Sequence, residues 1–193
     1  VCHDSPKENT MKNTSIALLL VLIFTIGCQD QKELVEDTNQ LYRYPALGWS
    51  IKIPDNCKHL SAREYKTTIH MGEQDSEQLL CFRVSPTAHF ESEVSNLNYI
   101  DNEELIERIK TKTKEMYDTL GYTLKQTSYQ PVINGLEFYG LKTDILRKGK
   151  RVYTDERLFR YFDSINLGIS FKYFEAEDGK ILKDVFFSST FSR

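Results

Sequence analysis

The chain is 193 residues long, 40% apolar, with a formal net charge of −3 at neutral pH. That length supports one domain whose core needs neither a metal nor a set of disulfides. The mildly acidic balance gives no support to a nucleic-acid role.

Residues 1–10, VCHDSPKENT, carry nothing a signal peptide needs and are set apart, with Cys2, as lying upstream of a start at Met11. From there Lys12 precedes the apolar run Ile16 to Phe24, and Gly27 stands directly before Cys28. Charge, short apolar core and small residue are the three parts of a secretory signal peptide. The run falls short of the roughly 20 apolar residues that cross a bilayer, so a permanent span is not expected. Thr25-Ile26-Gly27-Cys28 resembles the bacterial lipobox, with Thr25 where leucine is commonest, and is similar to the relaxed form in Bacteroidetes-type lipoproteins. The resemblance implies that residues 11–27 are removed and that Cys28 is the site of lipid attachment. Two or three acyl chains hold a protein on a membrane where one would not. The expected location is the cell envelope, at the outer membrane, on its periplasmic or surface face. Ordinary cleavage that frees the protein is the alternative. From Cys28 onward the charge is still −3, because Asp4 and Glu8 cancel Lys7 and Lys12.

Residues 28–40 are polar without apolar period and read as a tether, with a single domain over residues 41–193. In LGWSIKIPDN, Trp49, Ile51 and Ile53 alternate with Ser50 and Lys52, which predicts a half-buried strand stopped by Pro54-Asp55-Asn56. TTIHMG and QLLCFRVS predict two more strands, paired antiparallel across the loop from Glu73 to Glu77. Cys57 and Cys81 remain once Cys2 and Cys28 are set aside, and an exported location permits a disulfide between them. Its loop of about 25 residues corresponds to roughly 3 kcal/mol in the chain-entropy view. Two buried free thiols are the competing reading.

DNEELIERIKTKTKEMYDTLG predicts an amphipathic helix: Asp101 caps it with Glu104 at the reciprocal position, and Gly121 ends it. Leu105, Ile106, Ile109, Met116, Tyr117 and Leu120 form its expected inner side, and Glu104 with Arg108 stands four apart on its outer side. Tyr122 to Ile133 is β-prone, and Asn134-Gly135 marks a two-residue hairpin. Leu136 to Arg147, Val152 to Phe162 and Ile165 to Phe174 continue as an antiparallel meander joined by KGK and Asp163-Ser164. Asp178-Gly179 predicts the last turn, and beyond it the spacing of Ile181, Leu182, Val185 and Phe186 predicts a closing helix. Apolar and aromatic residues occupy both faces of the meander, so helices are expected on both sides of the sheet.

Chemistry is sparse. His59, His70 and His89 are isolated, and neither Cys-x-x-Cys nor His-x-x-x-His occurs, so no metal or cofactor is expected. Cys81 with His70 on a neighbouring strand is the one arrangement that a thiol-dependent hydrolase would use. Glu103, Glu104 and Glu107 read as the solvated first turns of the long helix. RKGKR places Arg147, Lys148, Lys150 and Arg151 at a hairpin tip. Such a tip blunts aggregation, and it is also a candidate contact for an acidic partner or lipid headgroups.

GWSIKIP, NGLEFYGLKT and GISFKYFEAEDGKILKDVFFSSTF together resemble the PsbP-like (PsbP/DcrB-type) family over residues 41–193. The resemblance implies an α+β fold, an antiparallel β-sheet flanked by helices on both faces in an α/β/α sandwich. These are packing motifs and carry over no functional residue. The expected role is a membrane-anchored envelope lipoprotein whose domain binds or scaffolds another protein and is not an enzyme. Its expected partners are the membrane, through the lipid, and an unidentified protein, with no nucleic acid. An immunity protein neutralising an exported toxin is the alternative, and the thiol-dependent hydrolase the second.

Overall fold

The computed structural model describes residues 35–37, 40–60, 76–95 and 101–192, all within the compact unit Lys32–Arg193. In chain order the strands are β1 (Val35–Asp37), β2 (Leu41–Tyr44), β3 (Trp49–Lys52), β4 (Lys58–His59), β5 (Ser76–Ser85), β6 (Ala88–Ser95), β7 (Thr123–Tyr129), β8 (Val132–Ile133), β9 (Leu136–Glu137), β10 (Tyr139–Arg147), β11 (Lys150–Phe162), β12 (Ile165–Tyr173) and β13 (Thr190–Phe191). Helix α1 spans Asn102–Thr119 between β6 and β7, and α2 spans Ala176–Phe187 between β12 and β13. The result is α+β, mainly antiparallel sheet with two α-helices among the described residues.

The larger sheet has seven strands in the order β4-β5-β6-β12-β11-β10-β7. Its second half is the expected meander, and the tight turns follow from their residues, Lys148-Gly149 between β10 and β11 and Asn134-Gly135 between β8 and β9, which form a separate two-stranded sheet. Asn134 and Gly135 lie at φ 49° and 75°, Lys148 and Gly149 at 51° and 75°. Paired positive φ values belong to the two-residue turn whose twist matches that of the strands. The smaller sheet, β1-β2-β3-β13, brings residues 190–191 back beside Trp49 and Ser50. Gly48 is obligatory at that junction: its φ is +58°, and an added Cβ would lie 1.7 Å from the Ser192 carbonyl oxygen.

One apolar cluster joins the two sheets and α2. Trp49, Ile51 and Ile53 are buried, as their alternation predicts, together with Phe82, Phe90, Phe171 and Phe186. The Phe186 ring lies 5.8 to 6.3 Å from the rings of Trp49, Phe90, Phe138 and Phe171. Aromatic rings at such separations attract beyond their buried area, so Phe186 fixes where α2 sits against β12, β6, β5 and β3.

Helix α1 starts as expected, with the Asp101 carboxylate accepting from the Glu103 and Glu104 amides at 2.9 and 3.3 Å. It contacts β7 and β10. Its buried residues are Ile106 and Thr113, whereas Leu120 is 59% exposed. Leu120 falls on the C-cap, where the chain leaves helical geometry and the 3.6-residue period no longer sets its direction.

Other expectations are corrected. Asp178 and Gly179, read as the last turn, lie within the first turns of α2. Val35–Asp37, read as tether, pairs with β2. QLLCFRVS lies in β5, which pairs with β4 on one side and with β6, a strand without an expectation from the sequence, on the other. In β6, Ala88, Phe90, Ser92 and Val94 form one buried row, a period-two signal diluted by Ser92. Leu136 to Arg147 is two strands, divided at Phe138, whose amide bonds the Pro131 carbonyl at 2.9 Å. The TTIHMG strand, residues 1–27, Cys28 and His70 lie outside the described residues.

The Cys57–Cys81 disulfide is not formed: both are buried free cysteines. Cys57 belongs to the apolar cluster with Leu80 and Phe82. Cys81 sits between those two on β5, and successive strand residues point to opposite faces. The two thiols are therefore on different sides of the sheet.

Candidate functional site: a charged sheet face and a basic hairpin tip

The face of the larger sheet that carries Cys81 is charged, and its register sets the charges in rows. Cys81, Glu91, Ser170 and Arg157 are cross-strand neighbours in succession on β5, β6, β12 and β11. The adjacent row runs Arg83, His89, Lys172, Asp155 and Thr143. A third pairs Gln78 with Glu93 and Glu93 with Gly168. Glycine at 168 gives Glu93 room, since an added Cβ would lie 3.1 Å from its Cγ.

Three cations and three anions in these rows balance, and the best-resolved pair is internal. Arg157 Nη2 lies 2.8 Å from Asp155 Oδ2, Arg157 Nε lies 3.2 Å from Oδ1, and Ser170 Oγ donates to Oδ1 at 3.4 Å. Asp155 is only 4% exposed. Burial works to raise its pKa, but Arg157, Lys172 and Ser170 outweigh that and hold it below the ordinary carboxylate value. Burial works to lower the Arg157 pKa, and Asp155 with Glu93 and Glu91 outweighs it, so the guanidinium stays charged.

The neutral members of the face are held neutral. Burial, then the Glu91 charge, push the Cys81 thiol up to about 12. Burial, then Lys172, bring His89 down to about 4. A thiol of that pKa beside an unprotonated imidazole is the opposite of an activated nucleophile, which needs an electropositive, partly exposed setting. Among the described residues no group of three or more His, Cys, Asp or Glu side chains is placed to hold a metal ion.

On the other face of β11, Glu156 is buried and well supplied with donors. Tyr129 Oη donates to Oε1, Tyr173 Oη donates to Oε2 at 2.9 Å, and Lys183 Nζ of α2 lies 3.3 Å from Oε2. Two glycines shape the slots for the phenols. A Cβ at Gly140 would lie 2.7 Å from the Tyr129 ring, and one at Gly179 would lie 2.6 Å from the Tyr173 ring.

The basic tip is as exposed as its sequence predicts, and the residues beneath it are aromatic. Arg147, Lys148, Lys150 and Arg151 are all exposed. The Arg147 guanidinium lies over the Tyr122 ring at 5.8 Å. Tyr122 meets Tyr117 edge-on at 5.9 Å, Tyr117 Oη bonds Tyr153 Oη, and Tyr153 stacks on Phe174 at 5.7 Å. Arg151 Nη2 donates to the Phe174 carbonyl at 2.9 Å and Nη1 to Thr154 Oγ1 at 3.2 Å. The end of α1, the β10–β11 hairpin and the end of β12 thus meet at one edge of the molecule.

Sequence reading found the tip and missed the sheet face. Asp155 and Arg157 stand two apart in TDERLFRYF, so they share a face of their strand. That signal was available, but the strand partners that complete the rows lie on other segments.

No protein-family model matches the sequence, and no curated protein matches it. The solution structure of cyanobacterial PsbP (CyanoP) from Synechocystis sp. PCC 6803 is similar in fold, with a TM-score of 0.58 at 9% identity over 81% of this chain and 95% of that one. A crystal structure from Bacteroides thetaiotaomicron VPI-5482 aligns with a TM-score of 0.46 at 13% identity, over 84% of this chain and 49% of that one. The protein has a PsbP-like fold.

Proposed function

We propose that the protein is a lipid-anchored envelope protein, attached through Cys28, whose PsbP-like domain binds or scaffolds another protein without catalysing a reaction. The observation that carries this reading is the chemistry of the charged face. Its carboxylate and guanidinium satisfy each other, and its thiol and imidazole are held uncharged. Such a face is built for packing or docking, and it leaves the hydrolase reading without a nucleophile. The similarity to CyanoP in fold is compatible with a non-catalytic domain. In this reading α1 and α2 lie on opposite faces of the larger sheet. Support comes from β11: Tyr117 of α1 meets Tyr153, Lys183 of α2 meets Glu156, and residues an odd number apart on a strand point to opposite sides.

The anchor is tested by the intact mass of membrane-extracted protein. A mass beginning at Cys28 with acyl chains is expected, and Cys28→Ser should release the protein from membranes. A mass beginning upstream without acyl groups would remove the anchor. The binding role is tested by crosslinking and affinity capture from the same membranes, where one protein recovered in stoichiometric amount is expected. Repeated capture without a specific protein would remove that role.

A further inference from the structure

We propose that the β10–β11 hairpin tip is a docking site for an anionic phospholipid surface, with Leu120 and Phe174 entering the headgroup layer beside it. The inference deepens the envelope reading and rests on it for a membrane within reach.

Two independent features converge at this edge. Arg147, Lys148, Lys150 and Arg151 supply cations on an exposed turn, and each basic side chain near an anionic bilayer strengthens association by about fivefold. Leu120, 59% exposed, and Phe174, 42% exposed, are large apolar residues left in water at the same place. Their nearness follows from bonded contacts. Leu120 closes α1 two residues before Tyr122, on which Arg147 rests, and Arg151 holds the Phe174 carbonyl. Between them Tyr117, Tyr122 and Tyr153 present rings with polar tips, the residue type that favours the boundary between water and lipid.

The surrounding acids limit the docking angle without cancelling the tip. Asp118 is paired with Lys114, and Asp144 has Lys125 as its cross-strand neighbour on β7. Glu175 and Glu177 at the start of α2 remain exposed and would turn that side away from an anionic surface. A narrow protruding turn with cations above apolar side chains suits a soft, charged interface. A protein partner would need a complementary concavity.

The test measures binding of the full chain to vesicles of phosphatidylcholine alone and of phosphatidylcholine with 30% phosphatidylglycerol (about one lipid in three, enough to give a strongly negative surface). The variant Arg147→Gln, Lys148→Asn, Lys150→Gln keeps Gly149 and a residue suited to positive φ, and it keeps Arg151, which holds Phe174. We expect the wild-type chain to prefer the anionic vesicles at least about tenfold at low salt, with the preference collapsing in the variant and in high salt. Phe174→Trp should shift its emission to the blue on anionic vesicles only. Equal binding to both vesicles, or a preference that survives in the variant, overturns the proposal, as does capture of an acidic protein by the tip without any vesicle preference. Background attachment by the amino-terminal segment or its lipid raises binding to both vesicles alike. The ratio therefore tests the tip, while Cys28→Ser tests the anchor, and either can fail alone.

Discussion

Lys183, on the last helix, reaches Glu156 in the larger sheet at 3.3 Å, and Glu156 also accepts from Tyr173 at 2.9 Å and from Tyr129. The buried carboxylate is thus the common acceptor for groups from β7, β12 and α2. Glu156→Ala would leave two phenols and an ammonium around an empty acceptor position, which costs roughly 3 kcal/mol by the usual penalty for unpaired buried polar groups. Lys183→Ala removes one partly exposed donor and should cost about 1 kcal/mol. Urea denaturation of both variants should rank them in that order, and equal midpoints would show that Glu156 does not hold the three elements together.

Stability should fall with acid earlier than carboxylate protonation alone requires. The His89 pKa lies near 4 in the folded chain against 6.5 when free, because burial and then the Lys172 charge disfavour the protonated ring and together outweigh Asp155, which favours it. The unfolded chain then binds the proton first. The contribution is fully present above the unfolded value and is lost as pH falls from 6.5 to about 4, a total of roughly 2–3 kcal/mol. Asp155, held below its ordinary value, adds a further loss only at lower pH. His89→Gln should flatten the urea midpoint between pH 7 and pH 4.5 relative to wild type (about two units spanning most of the titration), and an unchanged slope would clear His89.

Cys57 and Cys81 should behave as inert thiols. Both are buried and burial raises both pKa values, so alkylation at neutral pH should be negligible until the chain unfolds. Mass spectrometry of native protein treated with iodoacetamide checks this, and a mass unchanged by reduction checks that no disulfide forms. Labelling of Cys81 in the native state would reopen the thiol chemistry.

Gly179→Ala sets two effects against each other. Alanine in a helix interior gains about 1 kcal/mol over glycine. At this position its Cβ would lie 2.6 Å from the Tyr173 ring, which Glu156 holds in place. Overpacking of that kind costs about 1–3 kcal/mol. Net destabilisation of up to about 2 kcal/mol is expected in thermal or urea unfolding, and a stabilised variant would mean that the ring yields.

How much could be read in advance depended on whether a feature was local. The Asp101 cap, the Asn134-Gly135 and Lys148-Gly149 turns, and the alternation of Trp49, Ile51 and Ile53 are each written within a few residues, and each is found as expected. The strand β6 was missed because Ser92 occupies a buried position, so the apolar alternation breaks where a small hydroxyl packs just as well and bonds the Leu80 carbonyl at 3.4 Å. The charged face was illegible for a different reason. Asp155 and Arg157 share a strand, but Lys172, Glu91 and Cys81 join them only through strand register, which no local spacing encodes. Inward charges in strands look like surface charges until their neighbours are known.

The backbone bond from Ser192 to the Gly48 carbonyl, 2.8 Å long, joins residues 144 apart, and it has a temporal meaning. The smaller sheet and the aromatic cluster around Trp49 are incomplete until residues 190–192 have been synthesised and, for an exported chain, have crossed the membrane. Trp49 must wait exposed for almost the whole of synthesis, since contacts between distant parts of a chain form late and slowly. The last strand is thus the latch that closes the smaller sheet beside Trp49.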